Sequence, residues 1–316
     1  MSWIFSTFDE IFAMKYQPIF KSDEHQFLFE KQGFVIVPLL DEKSLIRLNN
    51  IFDDLHPNLP KEGFISGGYS QDLEYKMKSS QMIKDVMEPF VDKIFQDYKI
   101  YGSTFVYKVA SKNSELGPHQ DWSIVDEDVF FSLNCWVPLC DITSRNGPMY
   151  VLPGSHYLNH QIIRAPSMGY YYDNYRDVVL KYMVPLKVKA GTAIIINHSI
   201  IHYSSPNYTN KVRKALISAI KSSQADTILY YDTKSDNVLE VYQMPEDFAV
   251  RYNNFFQDNK LRPDSGKLLK EKYYIQNIYS KSEVDELFNM MHEKSGYFDS
   301  RFKLLMNKIE NRFTIV

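Results

Sequence analysis

Cysteine is scarce: the 316 residues contain two, Cys135 and Cys140, close together in a stretch that reads as a strand. Two such thiols form neither a disulfide framework nor a zinc knuckle, so the chain suits a reducing compartment. An excess of charge is also missing. Lysine and arginine number 36 against 39 acidic residues, a formal net charge of -3, and the isoelectric point is near 6.3. That balance offers no basic footprint for nucleic acid. Long apolar runs are lacking too: no stretch approaches the roughly 20 residues of a membrane-spanning helix, and the mean hydropathy is -0.35. Within Met1 to Phe20, Asp9 and Glu10 interrupt the place where a secretory leader needs an unbroken apolar core, and no basic start precedes them. These absences point to a cytoplasmic protein without a membrane or nucleic-acid partner.

Aromatic residues, by contrast, make up 15% of the chain, chiefly Tyr and Phe, which favours a well-packed core with a large apolar pocket. The length suffices for one large domain. Ser22 caps a helix that runs to Gln32 and leaves through Gly33; Phe34 to Pro38 is then a strand whose proline confines it to an edge or an end. Asp41 caps a second helix with Leu45, Leu48, Phe52 and Leu55 on one face, and 61–71 is a glycine-containing loop. A helical period continues over Ser79 to Tyr98, with Pro89 expected to kink or divide it.

Strand signals follow at 100–109, 129–139, 148–152, 184–188, 193–197, 214–220 and 227–231, with turn residues between them, which argues for a β-sandwich or barrel. The segment from Ser155 to Lys181 is too long for an ordinary connection and has the length of a lid. Beyond Asp232 the pattern reads as helix: Pro245 opens 246–256, Ser282 caps 283–293 with Val284, Leu287, Phe288 and Met291 inward, and Phe298, Phe302, Leu305 and Ile309 form another stripe. This extension could cover the barrel, complete the pocket or offer a face for self-association.

The stretch with the most chemistry is Gly117-Pro118-His119-Gln120-Asp121-Trp122. In an extended chain the imidazole and carboxylate of His-x-Asp share a face, so both reach one ion. A third ligand is available in Asn197 to His202, where His198 and His202 are both candidates. Two imidazoles and one carboxylate with open positions are the donor set of non-haem Fe(II) oxygenases.

Three stretches in order carry a more specific signal: Gly117 to Asp121, then Asn146-Gly147-Pro148 through Pro153-Gly154-Ser155-His156, then Gly191-Thr192 through His202 to Arg213. Together they resemble the phytanoyl-CoA dioxygenase family of Fe(II)/2-oxoglutarate oxygenases, over about residues 20 to 225. The resemblance implies a mainly β fold with flanking helices, a double-stranded β-helix of the jelly-roll or cupin-like kind; joined to the helical pattern beyond Asp232, which lies outside the resemblance, it gives a core at 1–232 and a helical C-terminal extension at 233–316. It implies His119, Asp121 and His202 as iron ligands and catalytic centre, and leaves His198 structural. Arg213 then takes the distal carboxylate of 2-oxoglutarate, with Trp136, Lys108 and Asn134 as further residues around the co-substrate; Lys214 should face away, and His156 should stabilise its turn. The implied cofactors are Fe(II), 2-oxoglutarate and O2, and the implied reaction is hydroxylation of an unactivated C–H bond in a small molecule, with release of succinate and CO2. Desaturation, cyclisation or epimerisation are alternative outcomes, and a barrel that only binds ligands is the alternative class. Selectivity is expected in the long insertion, with Tyr170, Tyr171, Tyr172 and Arg176 as substrate contacts.

Overall fold

The computed structural model describes residues 16–158, 162–251, 262–263, 265–275 and 279–296. Helix α1 (Asp23–Gln32) starts where the Ser22 hydroxyl accepts from the His25 amide and stops at Gly33, whose φ is 84°. A Cβ on Gly33 would sit 2.6 Å from His156 Nδ1, so the position needs glycine for both backbone and space. Strand β1 (Phe34–Pro38) follows, and then α2 (Glu42–Leu55), capped by Asp41 and burying Leu48, Ile51 and Phe52. Within the expected loop lies a short strand, β2 (Phe64–Ser66). Helix α3 (Leu73–Val91) begins earlier than its expected start, because the Asp72 side chain caps it by accepting from Tyr75. It also ends earlier, and Pro89 lies in its last turn. There the missing amide breaks few internal bonds.

The strands that follow are β3 (Tyr98–Lys108), β4 (Leu116–His119), β5 (Ser132–Pro138) and β6 (Met149–Val151). Helix α4 (Arg176–Tyr182) precedes β7 (Val184–Leu186), β8 (Thr192–Asn197), β9 (His202–Ser204), β10 (Arg213–Ser222) and β11 (Ile228–Asp232). A six-stranded antiparallel sheet has the order β1-β8-β5-β10-β3-β2, and a four-stranded one the order β4-β9-β6-β7. Pro38 therefore sits at the end of an edge strand. The sheets pack face to face through Phe34, Val106, Ile194 and Ala215 on one side and Met149, Val151, Val184 and Leu186 on the other. Helices α1 to α3 cover the outer face of the larger sheet with Phe29, Phe52 and Ile83. That sheet is buried on both faces, which is why β8 is apolar in succession rather than alternating. The architecture is a double-stranded β-helix of antiparallel sheets that do not close into one ladder.

The helical reading beyond Asp232 needs correction. Strand β12 (Val238–Gln243) pairs with β11 on one side and with β13 (Lys267–Tyr273) on the other, so a boundary at 232–233 falls inside a hairpin. Its turn has positive φ at Lys234, Asp236 and Asn237, and Val238-Leu239-Glu240-Val241-Tyr242 has the β-branched and aromatic character of a strand. Between them α5 (Phe248–Arg251) is the described part of the expected 246–256 helix, and the stripe from Phe298 to Ile309 lies outside the described residues. Helix α6 (Lys281–Lys294) is capped by Ser280, not Ser282, because Ser280 and Glu283 close a reciprocal capping box. Its Val284, Leu287, Phe288 and Met291 pack against Tyr172, Val179 and Tyr182 of the same chain. Among the described residues no helix is long and apolar enough to cross a membrane.

His156 ties its turn to the end of α1, with Nε2 2.7 Å from the Glu30 carbonyl oxygen. Burial pushes its pKa down from 6.5 to about 4. Between these values the unfolded chain binds a proton that the folded chain refuses, so stability falls as pH falls through that window. By pH 5 the loss should reach about 2 kcal/mol for this group. Urea unfolding at pH 7 and pH 5 should show it, with a flatter dependence in His156→Gln; an equally steep variant removes His156 as the cause.

Candidate active site

Strands β4 and β9 pair so that His119 lies directly opposite His202, with ring centroids 4.1 Å apart. His119 Nδ1 is 2.7 Å from the Gly117 carbonyl oxygen, and His202 Nδ1 is 3.1 Å from that of Ile200. Donating these Nδ1 protons leaves both Nε2 lone pairs available for a metal. Burial, with His202 next to it, pushes the His119 pKa down to about 4, so the ring is a neutral ligand at physiological pH.

Asp121 arrives by another route than the strand pleat, because β4 stops at His119. Gln120 turns inward and donates to the Ser199 carbonyl, while the Asp121 amide donates to the His198 carbonyl at 2.8 Å. Asn134 Nδ2 donates to Asp121 Oδ2 at 2.7 Å, and Arg164 Nε donates to the Asp121 carbonyl at 2.8 Å. The carboxylate oxygens then stand 3.9 Å from His119 Nε2 and 3.9 Å from His202 Nε2. Burial alone would raise the Asp121 pKa, but the three histidines and Arg164 around it hold it below the usual carboxylate value. One ligand atom from each of His119, Asp121 and His202 lies within 4.8 Å of the others. His198 does not join them: its Nε2 is 3.5 Å from the Tyr101 hydroxyl.

Arg213 opens β10 and is 2% exposed. Its Nη2 is 3.4 Å from Ser204 Oγ, while buried Nε and Nη1 have no hydrogen-bond partner among the described residues. The guanidinium lies 5.3 Å from the Trp136 ring, and burial lowers its pKa to about 10. A cavity of about 100 Å³ joins Arg213, Trp136 and Ser204 to all three metal-ligand candidates. Lys214 faces away and pairs with Asp53 at 2.6 Å.

Two further expectations are changed. Lys108 does not line this cavity. It is fully buried, and its ammonium donates to the carbonyls of Ser114, Ser204 and Ser205, so its three protons anchor β9 instead of facing a co-substrate. Asn134 lines the cavity but aims its amide at Asp121, which makes it a support for the metal ligand.

Two larger cavities, of about 230 and 390 Å³, share lining with this one: His119 and Asp121 line the first, and His119 the second. Tyr170 lines both, half-exposed, with its ring 5.8 Å from that of His119. Tyr171 lines the second, as does Tyr172, but Tyr172 is buried against Phe288. Arg176 pairs with Glu115 and lines neither cavity. Residues that sequence reading missed are Gln120, Arg164 and Tyr101, which hold the metal loop and His198, and Tyr69, which lines all three cavities with His119. Gln120 carried a signal through its place inside the motif; the others act across long sequence separations and carried none.

Two histidines and one carboxylate clustered beside a buried arginine with unsatisfied donors, set in a double-stranded β-helix, form the arrangement of a non-haem iron oxygenase. The chain belongs to the phytanoyl-CoA dioxygenase (PhyH) family, whose model matches residues 29–215. It is similar to phytanoyl-CoA dioxygenase 1 of Oryza sativa subsp. japonica, 27% identical over 67% of this chain and 71% of that one. It is also similar to phytanoyl-CoA dioxygenase of Arabidopsis thaliana, 25% identical over 79% and 82%. Among solved structures it is similar to the non-heme alpha ketoglutarate dependent carbocyclase SnoK from nogalamycin biosynthesis, with a TM-score of 0.49 and 18% identity over 65% and 86%. The protein is an Fe(II)/2-oxoglutarate-dependent dioxygenase, and its cofactors are Fe(II) and 2-oxoglutarate, with O2 as oxidant. The residues fit them: the triad has a donor set that could hold iron, and the unsatisfied Nε and Nη1 of Arg213 suit a carboxylate.

Proposed function

We propose that the protein hydroxylates a C–H bond of a small molecule, converting 2-oxoglutarate and O2 to succinate and CO2 as it does so. The observation that carries this reading is the placing of Arg213 and the triad around one small cavity, with two larger cavities that also reach His119. Iron with 2-oxoglutarate supplies the oxidising chemistry when bound. The chain supplies positions: His119, Asp121 and His202 hold the metal, Asn134 fixes the carboxylate, and Arg213 orients the diacid against Trp136. Co-substrate and substrate thus have separate rooms that share one wall. The test is incubation of purified protein with Fe(II), 2-oxoglutarate and a small-molecule panel, following succinate and product mass. Absence of succinate sinks the reading, while a product two hydrogens lighter reassigns the outcome to desaturation.

Within this reading, Tyr170 closes the substrate side over the metal. Tyr170→Ala should raise the substrate KM by about tenfold, the scale of one lost aromatic contact, and increase succinate formed per product, with 2-oxoglutarate affinity retained. Unchanged coupling and KM would remove Tyr170 from the lid. Tyr172→Ala should act differently, lowering stability by about 3 kcal/mol through a core cavity.

A further inference from the structure

We infer, on the basis of the proposed oxygenase reading, that Arg164 is a positioning residue whose guanidinium fixes the Asp121 leg of the iron site and the wall of the 390 Å³ cavity as one piece. The three ligands are not held alike. His119 and His202 lie opposite each other on β4 and β9, so the backbone ladder places both imidazoles. Asp121 lies beyond the end of β4. Its amide donates to the His198 carbonyl at 2.8 Å, and its carbonyl accepts from Arg164 Nε at 2.8 Å. The first of these bonds is main chain to main chain. The second depends on a side chain 43 residues away, in the long insertion. Asn134 holds the carboxylate at Oδ2, but that bond does not fix the main chain from which the carboxylate projects. Because Arg164 grips the main chain of Asp121, it acts through the ligand.

The contacts of Arg164 give its planar fork a single orientation. Nη2 pairs with Glu127 Oε1 at 2.5 Å, and Nη1 donates to the Ile162 carbonyl at 3.0 Å. Glu127 is held in turn, since Ser123 Oγ donates to its Oε2 at 2.9 Å. The side chains of Arg164 and Glu127 are 7% and 11% exposed, so water competes little for the pair. Backbone bonds run alongside: the Ser123 amide donates to the Arg164 carbonyl at 3.0 Å, and the Arg164 amide to Ser123 Oγ at 3.3 Å. The stretch after Asp121 is thus clasped to the insertion at both main chain and side chain. On the insertion side, Ile162, Ile163, Arg164 and Ala165 line the 390 Å³ cavity with His119 and Tyr170. One guanidinium therefore sets the cavity wall, through Ile162, and the metal carboxylate, through the Asp121 carbonyl. A lysine could not replace it, because a point ammonium lacks the fork that meets three acceptors at fixed angles.

The test separates positioning from packing. Arg164→Met leaves Glu127 buried without its partner and should destabilise the full chain. Combining it with Glu127→Leu removes both charges, and urea unfolding should return towards the wild-type midpoint, since apolar groups often replace a buried ion pair without loss. Iron binding should not return with it. The Fe(II) Kd of the folded double variant, and of folded Arg164→Lys, should stay about 10- to 100-fold weaker than wild type, the scale of a lost outer-shell support. Co(II) in place of iron, whose visible absorption follows its ligand geometry, should give an altered spectrum in both variants. Hydrogen exchange in the metal-free variants should speed up in 121–123 and 162–165 together, with β4 and β9 unchanged. Wild-type Fe(II) affinity in either folded variant, iron affinity that recovers with stability, or faster exchange in only one of the two segments overturns the inference and leaves the oxygenase reading in place. Failure of wild-type protein to bind Fe(II) overturns both.

Discussion

Alanine at His119, Asp121 or His202 should abolish stoichiometric Fe(II) binding and reduce succinate formation by more than about 100-fold, since loss of an outer-shell support alone costs 10- to 100-fold. The three side chains contribute the only group of histidine, cysteine and acidic residues able to share one ion among the described residues. Removing one leaves two donors, too few to hold iron against water. The fold should survive, because β4 and β9 keep their backbone pairing. Iron content by mass spectrometry, with circular dichroism as the control, checks this. His198→Ala should keep one iron per chain, since its imidazole lies against Tyr101 and outside the cluster. Full iron binding in both His119→Ala and His202→Ala would overturn the assignment.

Arg213→Ala should leave iron in place and weaken 2-oxoglutarate binding by roughly 2–5 kcal/mol, the cost of leaving a buried charge without its partner. That is about 30- to several thousand-fold in Kd. The size of the effect follows from burial: at 2% exposure of Arg213 little water can take the place of the lost guanidinium beside the carboxylate, and the co-substrate loses a two-pronged donor. Arg213→Lys should recover little, because a point ammonium cannot reproduce the fork. Anaerobic titration of 2-oxoglutarate into Fe(II)-loaded protein measures both variants. An Arg213→Ala titration that matches wild type excludes this residue as the carboxylate partner.

Short-range physics made much of the scaffold legible. Ser22, Asp41 and Gly33 mark helix ends because capping depends on groups within a few residues, and each is found in that role. The strands β3, β5, β8 and β10 stood out because a sheet covered on both faces selects continuous apolar runs. The short strands β4 and β9 did not stand out, although they carry the two histidines. With three or four residues each, they show no periodicity to read.

The site divides along the same line. Residue type and order in the sequence determined which groups could bind iron and a dicarboxylate, since donor chemistry belongs to the side chain itself. Tertiary structure decided which of them meet: that His202 and not His198 faces His119, that Asn134 supports Asp121, and that the three protons of Lys108 go to backbone carbonyls. It also decided that Tyr170 reaches the site while Tyr172 packs on α6, and that Arg164 donates to the Asp121 carbonyl. These outcomes rest on contacts between strands and loops far apart in the chain. Their energies depend on burial and on what lies opposite, and neither quantity exists until the sheets have packed.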